Sequence, residues 1–318
     1  MGELEAMTGM VNPWTRAFAV RLSHPRGRLL RIVLMKQSRL PRRTLLAATP
    51  FLAGCSATDI ANSLTSSRDV AQIEAQSFGP LPRHRFDLYR PANLPPEAPL
   101  VVFVYGGGWR AGQRRQYAFV ALPLARQGCL VAVPDYRLWP ESRFPDFVED
   151  TALAVGHLAA LEPRRRLVLM GHSAGAFNAA CVALDARWGS QQFVHGFIGL
   201  AGPYDFAAAE VGSPGIFSGL PRVQAAPQPL RAGQTPPLLL IHGEADTVVG
   251  PYHSNILAAR AREAGVSVQH VVRPGMGHFG VITAFADPTR ALGLADDTVR
   301  EAVIRFVLNP GESAARLG

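Results

Sequence analysis

The segment 167–180, LVLMGHSAGAFNAA, constrains the fold more than any other part of the sequence. An apolar run leads into the turn GHSAG at 171–175, and an alanine-rich stretch follows. This order predicts a strand, a sharp turn and a helix, with the pattern G-x-S-x-G at the junction. A side chain at Gly171 or Gly175 is expected to collide with the neighbouring strand or helix. The turn therefore predicts an exposed Ser173 hydroxyl, next to the positive end of the helix dipole.

Strands and helices alternate along most of the chain. The runs that predict strands lie at 84–89, 100–105, 130–133, 167–170, 197–201, 238–242 and 268–272. Helical stretches lie between several of them, at 117–127, 147–161 and 254–264. Such alternation predicts an α/β fold, with a mainly parallel sheet and helices on both faces. The Pro- and Gly-rich segment from Gly202 to Pro237 is too short for a large cap domain, so we expect it to shape the rim of a pocket.

The formal net charge of +8 is concentrated at the N-terminus. Residues 1–54 contain nine basic and two acidic residues, which leaves the rest of the chain nearly neutral. A neutral body gives no electrostatic reason to expect nucleic-acid binding. Three cysteines are too few for a disulfide scaffold, and Cys129 and Cys181 are predicted to be buried free thiols.

Residues 35–54 have the layout of an export signal, with a basic start, a short apolar middle and small residues at the end. The apolar middle is far shorter than the roughly 20 residues that a membrane span needs. The sequence LAGC at 52–55 resembles the lipobox of bacterial lipoproteins. We therefore expect translation to begin at Met35 and a lipid to be attached to Cys55.

These patterns divide the chain into four parts. Residues 1–34 are expected to be an upstream extension outside the fold, 35–54 an export signal, 55–75 a tether with room for one or two helical turns, and 76–318 the α/β domain. The protein would then be periplasmic and would contact the membrane only through its lipid anchor. Two alternatives stay open: an organelle transit peptide at 1–34, which is also rich in arginine, and an ordinary cleaved signal without a lipid.

A serine hydroxyl is a weak nucleophile, so the sequence should also supply a base and a carboxylate that orients the base. Two loops that follow predicted strands after Ser173 carry these groups, at the position where open α/β sheets place their active sites. The first loop contains Asp246, the predicted acid, and the second contains His278, the predicted base. Glu244 is the rival acid, and Asp205, beyond another strand end, is a third candidate.

The glycine run at 106–108 is the second component of the predicted site. Acyl transfer builds negative charge on a carbonyl oxygen, which fixed backbone N–H groups stabilise in an oxyanion hole. Glycines let the backbone approach a substrate without an intervening side chain. We predict that the amides of Gly107, Gly108 and Ala174 are the donors.

No metal or cofactor is expected. The sequence contains no H-E-x-x-H and no paired C-x-x-C, and its first glycine run does not have a phosphate-binding pattern. His172 and His242 stand beside glycines at predicted strand ends, and we expect them to pack or hydrogen-bond within their loops. A metal site that combines both with His278 is the alternative.

Five stretches together resemble the α/β-hydrolases of the hormone-sensitive-lipase and carboxylesterase group. They are VFVYGGGW at 102–109, PDYRL at 134–138, GHSAG at 171–175, HGEAD at 242–246 and GH at 277–278. Within that group the chain is most similar to small bacterial esterases related to isoprenylcysteine methylesterase and kynurenine formamidase. The resemblance spans roughly residues 80–310 and implies the α/β-hydrolase fold.

The resemblance implies a serine hydrolase that cleaves small or medium carboxylic esters through an acyl-enzyme, without a cofactor. An amide hydrolase of the kynurenine formamidase type is the alternative, while the intact motifs argue against an inactive hydrolase fold that serves as a binding protein. One position departs from the family pattern, since Tyr105 stands where the glycine loop usually begins with His. By the same likeness, the turn at 135–137 is expected to be structural and held by a pair between Asp135 and Arg137.

Overall fold

The computed structural model describes residues 57–204, 215–217 and 230–311. Its strands are β1 Val70–Ser77, β2 Arg85–Pro91, β3 Leu100–Val104, β4 Leu130–Pro134, β5 Leu167–His172, β6 Val194–Leu200, β7 Leu238–Gly243 and β8 Val268–Arg273. Its helices are α1 Ala57–Leu64, α2 Ala118–Ala125, α3 Asp146–Leu161, α4 Ala174–Leu184, α5 Tyr252–Glu263, α6 Gly280–Thr283, α7 Asp287–Ala291 and α8 Asp297–Leu308. Short 3-10 turns lie at Arg114–Tyr117, Ala186–Trp188 and Gln191–Phe193.

The described strands form one sheet in the order β1-β2-β4-β3-β5-β6-β7-β8. β2 runs antiparallel to both β1 and β4, and all other neighbours are parallel. This is the mainly parallel sheet that the alternation predicted. Because parallel strands end at the same edge, the loops that follow β3, β5, β7 and β8 open on one side of the sheet.

The central strands carry continuous apolar runs because both of their faces are covered. Every residue of β3, β4, β5 and β7 is buried, and so is every residue of α4, which follows β5. A strand buried on both faces has no polar side to alternate with, so it reads as an unbroken hydrophobic run. Cys129 and Cys181 lie in this interior as free thiols, as predicted.

The described part of the predicted tether, residues 57–75, contains a short helix and the start of a strand. Residues 57–64 form α1, whose Asn62 side chain donates to the Arg115 carbonyl at 2.8 Å and accepts from the Phe119 amide at 2.9 Å. Residues 70–77 form β1, which pairs with β2 along the edge of the sheet. Its side chains are mostly exposed, so the strand lacks the apolar pattern that would have revealed it. The folded domain therefore includes 57–75 and does not start at residue 76.

Several predictions fall outside the described residues. They concern the upstream extension, the export signal, Cys55 and the third acid candidate Asp205, together with most of the segment from Gly202 to Pro237. None of these predictions is tested by the structure. Within the described ranges, no helix combines the length and the apolar character that a membrane crossing requires.

Candidate active site

The turn between β5 and α4 has the strained geometry that the glycine pattern predicted. Ser173 has φ 54° and ψ −125°, a conformation that residues with a side chain rarely adopt. A Cβ added at Gly171 would press on the first turn of α4, and one at Gly175 would press on the carbonyl oxygens at the end of β3. Both glycines are therefore required for the close approach of strand and helix.

The structure brings the three predicted residues into one hydrogen-bonded line. The Nε2 of His278 lies 2.9 Å from the Oγ of Ser173, and its Nδ1 lies 2.7 Å from Oδ2 of Asp246. The three residues come from the loops after β5, β7 and β8, so the parallel sheet sets their separation. Ser173 is 9% exposed and the other two are 5% exposed, so all three are buried and the serine, which was predicted to be exposed, is only slightly more accessible than its partners.

The loop after β7 places Asp246, and not Glu244, against the histidine. The backbone N–H groups of Val248 and Val249 each donate to Oδ1 of Asp246 at 2.9 Å. These two bonds turn the carboxylate so that Oδ2 faces His278. The Glu244 side chain, two residues earlier, is exposed to solvent and is not a partner of the histidine.

The glycine loop after β3 lies directly beside the serine. A Cβ added at Gly106 would lie 2.9 Å from the Cβ of Ser173. Gly107 and Gly108 have φ of 135° and 60°, which favour glycine. Among the described residues, no backbone hydrogen bond uses the N–H group of Gly107, Gly108 or Ala174 as its donor. These three amides, the predicted oxyanion donors, are thus available at the turn.

Tyr105, the position that departs from the family pattern, anchors the base of the glycine loop. Its hydroxyl donates to Oδ1 of Asp135 at 2.8 Å and accepts from Nη2 of Arg83 at 2.8 Å. The Tyr136 hydroxyl donates to the Tyr105 carbonyl at 2.9 Å, and Arg83 also reaches the Gly112 carbonyl at 2.7 Å. Burial raises the pKa of the Tyr105 phenol well above its usual value, so the phenol stays a donor.

The predicted pair between Asp135 and Arg137 is wrong, because each residue has another partner. Asp135 accepts from the Arg114 guanidinium at 2.6 Å, and that guanidinium also binds Asp87 at 2.7 Å. Arg137 instead binds Asp150 of α3 at 2.8 Å. The two ion pairs hold the turn at 135–137 from both sides, which agrees with the expected structural role of this turn. Arg83 and Arg114 were not identified from the sequence, since no motif surrounds them.

A family model described as BD-FAE matches residues 86–202, which include the glycine loop and the serine turn. A probable isoprenylcysteine alpha-carbonyl methylesterase of Arabidopsis thaliana is 26% identical over 273 residues, which cover 74% of this chain and 56% of the plant protein. The kynurenine formamidase of Danio rerio is 30% identical over 141 residues, which cover 42% of this chain and 44% of the fish protein. The chain therefore spans only about half of the length of these curated relatives.

A truncated carbohydrate esterase from gut microbiota superposes on this chain with a TM-score of 0.66 at 18% identity. The superposition covers 78% of this chain and 99% of that structure. The chain has the α/β-hydrolase fold. The arrangement of strands and the position of the serine turn agree with the predicted fold.

Two further histidines, His172 and His242, lie beside the three hydrogen-bonded residues. Burial lowers the pKa of His172 to about 3, and its Nε2 lies 3.4 Å from the His278 carbonyl oxygen. Burial also lowers the pKa of His242, whose Nε2 lies 2.9 Å from the Val249 carbonyl oxygen. His242 hydrogen-bonds within its own loop, as predicted, whereas the partner of His172 lies in the loop after β8. The described residues contain no group of three or more His, Cys, Asp or Glu that would hold a metal ion.

These buried histidines predict a loss of stability at acid pH. His172 is neutral when folded down to pH about 3 but takes up a proton near pH 6.5 when unfolded. Its stabilising contribution is complete above pH 6.5 and is lost as pH falls toward 3, with a slope of up to about 1.4 kcal/mol per pH unit. His242 and His270, whose pKa values burial also lowers, add to this in the same direction.

Thermal unfolding at pH 7.5, 6.0 and 5.0 measures this effect. We expect Tm to fall progressively below pH 6.5 and to fall less steeply in the His270→Gln variant, because this variant removes one of the protons gained on unfolding. A Tm that stays constant between pH 7.5 and 5.0 would contradict the expectation.

Proposed function

We propose that this α/β-hydrolase cleaves small or medium carboxylic esters through an acyl-enzyme on Ser173. The observation that carries the proposal is the hydrogen-bonded line from Ser173 through His278 to Asp246, at a strained turn beside the glycine loop. A relative named as a methylesterase and a structural neighbour named as a carbohydrate esterase support ester chemistry.

In the first half of the proposed reaction, Oγ of Ser173 attacks the ester carbonyl carbon while its proton moves to Nε2 of His278. Asp246 holds the Nδ1–H of the imidazole and stabilises the imidazolium that forms. The carbonyl oxygen becomes an oxyanion, for which the amides of Gly107, Gly108 and Ala174 are the proposed donors. Collapse of the tetrahedral species breaks the ester C–O bond, and the imidazolium protonates the leaving alcohol.

The second half of the reaction repeats these steps with water. His278 removes a proton from a water molecule, which attacks the acyl carbon. The second tetrahedral species then expels Oγ of Ser173, which regains its proton from the imidazolium. The products are one alcohol and one carboxylic acid, and no metal or cofactor takes part in the proposed steps.

Amide hydrolysis is the second candidate function, and the similarity to a protein named kynurenine formamidase favours it. The same residues would serve, but the imidazolium would have to protonate a nitrogen that leaves less readily than an alcohol. The two functions therefore differ in the leaving group and not in the nucleophile.

A substrate panel separates these functions. We expect nitrophenyl esters with acyl chains of two to about eight carbons to be hydrolysed with a kcat/KM well above that for N-formylkynurenine, and activity to persist after treatment with a chelator. A higher kcat/KM for N-formylkynurenine would favour the formamidase alternative. A preference for long-chain triglyceride emulsions with interfacial activation would contradict the proposed acyl range.

A further inference from the structure

His242 is the penultimate residue of β7 and lies beside the carboxylate of Asp246. It is fully buried, with 0% exposure. Its Nε2 lies 2.9 Å from the Val249 carbonyl oxygen and 3.3 Å from Oδ2 of Asp246. One ring nitrogen therefore faces two acceptors, which both belong to the loop that carries the acid.

The carboxylate of Asp246 is surrounded on both oxygens. Oδ1 accepts from the amides of Val248 and Val249, while Oδ2 faces Nδ1 of His278 and Nε2 of His242. Both backbone polar groups of Val249 are hydrogen-bonded: its N–H donates to Asp246, and its carbonyl oxygen accepts from His242. The histidine thus connects the end of β7 to the turn that orients the acid.

The tautomer of His242 follows from these contacts. Nε2 must carry the proton, because a carbonyl and a carboxylate oxygen face it. Nδ1 is then the unprotonated nitrogen, and it has no hydrogen-bond partner among the described residues. With no acceptor at Nδ1, a second proton there would be buried without compensation, so the ring is neutral.

The neutral state matters because other ionisable groups lie close by. Asp246 and His278 face His242 from the loops after β7 and β8, His172 from the serine turn, and His270 from within β8. A neutral His242 offers Asp246 an N–H dipole but does not take the proton that the reaction delivers to His278. The carboxylate is held in place without a second imidazolium beside it.

We propose that His242 is a positioning residue, which holds the 246–249 turn through its Nε2–H and so fixes Oδ2 of Asp246 against His278. The proposal rests on the proposed function, since it assumes that Asp246 and His278 act in catalysis. His242 has no contact with Ser173 and acts on the reaction only through the acid.

The test compares three variants with the wild-type enzyme. His242→Leu removes the N–H group and keeps a buried side chain, whereas His242→Gln keeps a side-chain N–H donor. His270→Leu is the matched control, because this neighbouring β8 histidine binds Ser254 and does not contact Asp246. The measurements are kcat and KM for nitrophenyl butyrate, the pH profile of kcat/KM, and Tm for each protein.

We expect kcat of His242→Leu to fall by roughly 10- to 100-fold with little change in KM, because the misplaced acid affects proton transfer and not substrate binding. The negative charge of Asp246 is also less compensated in this variant, so the imidazolium of His278 is favoured and the acid limb of the profile moves to higher pH. His242→Gln should recover a large part of kcat, and His270→Leu should leave kcat and the acid limb unchanged.

Equal kinetics for His242→Leu and His270→Leu would overturn the proposal while leaving the proposed function intact. A wild-type enzyme without ester or amide hydrolase activity would instead refute the proposed function. If His242→Leu does not fold, nitrogen NMR of the wild-type protein decides, since the proposal requires a neutral His242 with its proton on Nε2. A proton on Nδ1 would overturn it.

Discussion

Ser173→Ala is expected to lower kcat/KM for nitrophenyl esters by on the order of 10⁴- to 10⁶-fold, to the level that binding and the backbone amides alone supply. The variant removes the only atom that the proposed mechanism uses to form the acyl-enzyme. His278 then has no hydroxyl to deprotonate, although its bond to Asp246 is unaffected. A fluorophosphonate probe should label the wild-type protein at Ser173 and leave the variant unlabelled.

The effect on stability should be small in comparison. The Ser173 hydroxyl makes one hydrogen bond, to Nε2 of His278. The loss of this bond costs about 1 kcal/mol of folding stability. Ser190→Ala is the matched control, since this buried hydroxyl bonds to the Ala152 carbonyl at 2.9 Å, beyond the far end of α4. The control should lose similar stability and no activity. A Ser173→Ala protein that keeps its esterase activity would refute the nucleophile assignment.

The turn at Ser173, between β5 and α4, was predictable from the sequence because its geometry restricts the residue types that fit there. Gly171 and Gly175 are required by contacts within a few residues of the turn and with the adjacent strand. The predicted acid and base were found from chemistry combined with topology, since parallel strands bring their carboxyl ends to one edge. The placement of Asp246 and His278 relative to Ser173 therefore needed only the correct order of strands.

The parts that were missed depend on partners that are distant in sequence. The Tyr105 hydroxyl joins Arg83 and Asp135, which lie 22 and 30 residues away. Arg83 belongs to no local pattern, and the PDYRL stretch that contains Asp135 does not reveal its distant partners. β1 was missed for a related reason, because an edge strand is held by backbone pairing and its side chains remain exposed. Local periodicity reports burial, so it detects neither a polar network between loops nor a strand whose side chains face water.

The Tyr105 network also explains how the glycine loop tolerates the departure from the family pattern. The loop's proposed oxyanion donors are backbone groups, so their position depends on what fixes the backbone. Tyr136 binds the carbonyl of Tyr105, and Arg83 binds the carbonyl of Gly112 at the other end of the loop. The loop is thus held at both ends by side chains outside it, and the residue at 105 has only to complete that network.

Asp246→Asn is expected to lower kcat by about 10⁴-fold, because the asparagine would hold His278 in the wrong tautomer. The amides of Val248 and Val249 require an acceptor at the Oδ1 position, so the asparagine carbonyl must stay there. Its NH₂ group then takes the place of Oδ2 and donates to Nδ1 of His278. The histidine proton moves to Nε2, which can no longer accept the proton of Ser173.

The same NH₂ group would face the Nε2–H of His242, which lies 3.3 Å from the replaced oxygen. Two donors would then point at each other in a buried site, so we expect a lower Tm in addition to the lost activity. Glu244→Gln is the matched control, since it makes the same chemical change on an exposed side chain two residues earlier in the loop. Steady-state kinetics should show the control within about twofold of wild type, the range expected for an exposed substitution. A larger loss of kcat in Glu244→Gln than in Asp246→Asn would move the acid assignment to Glu244.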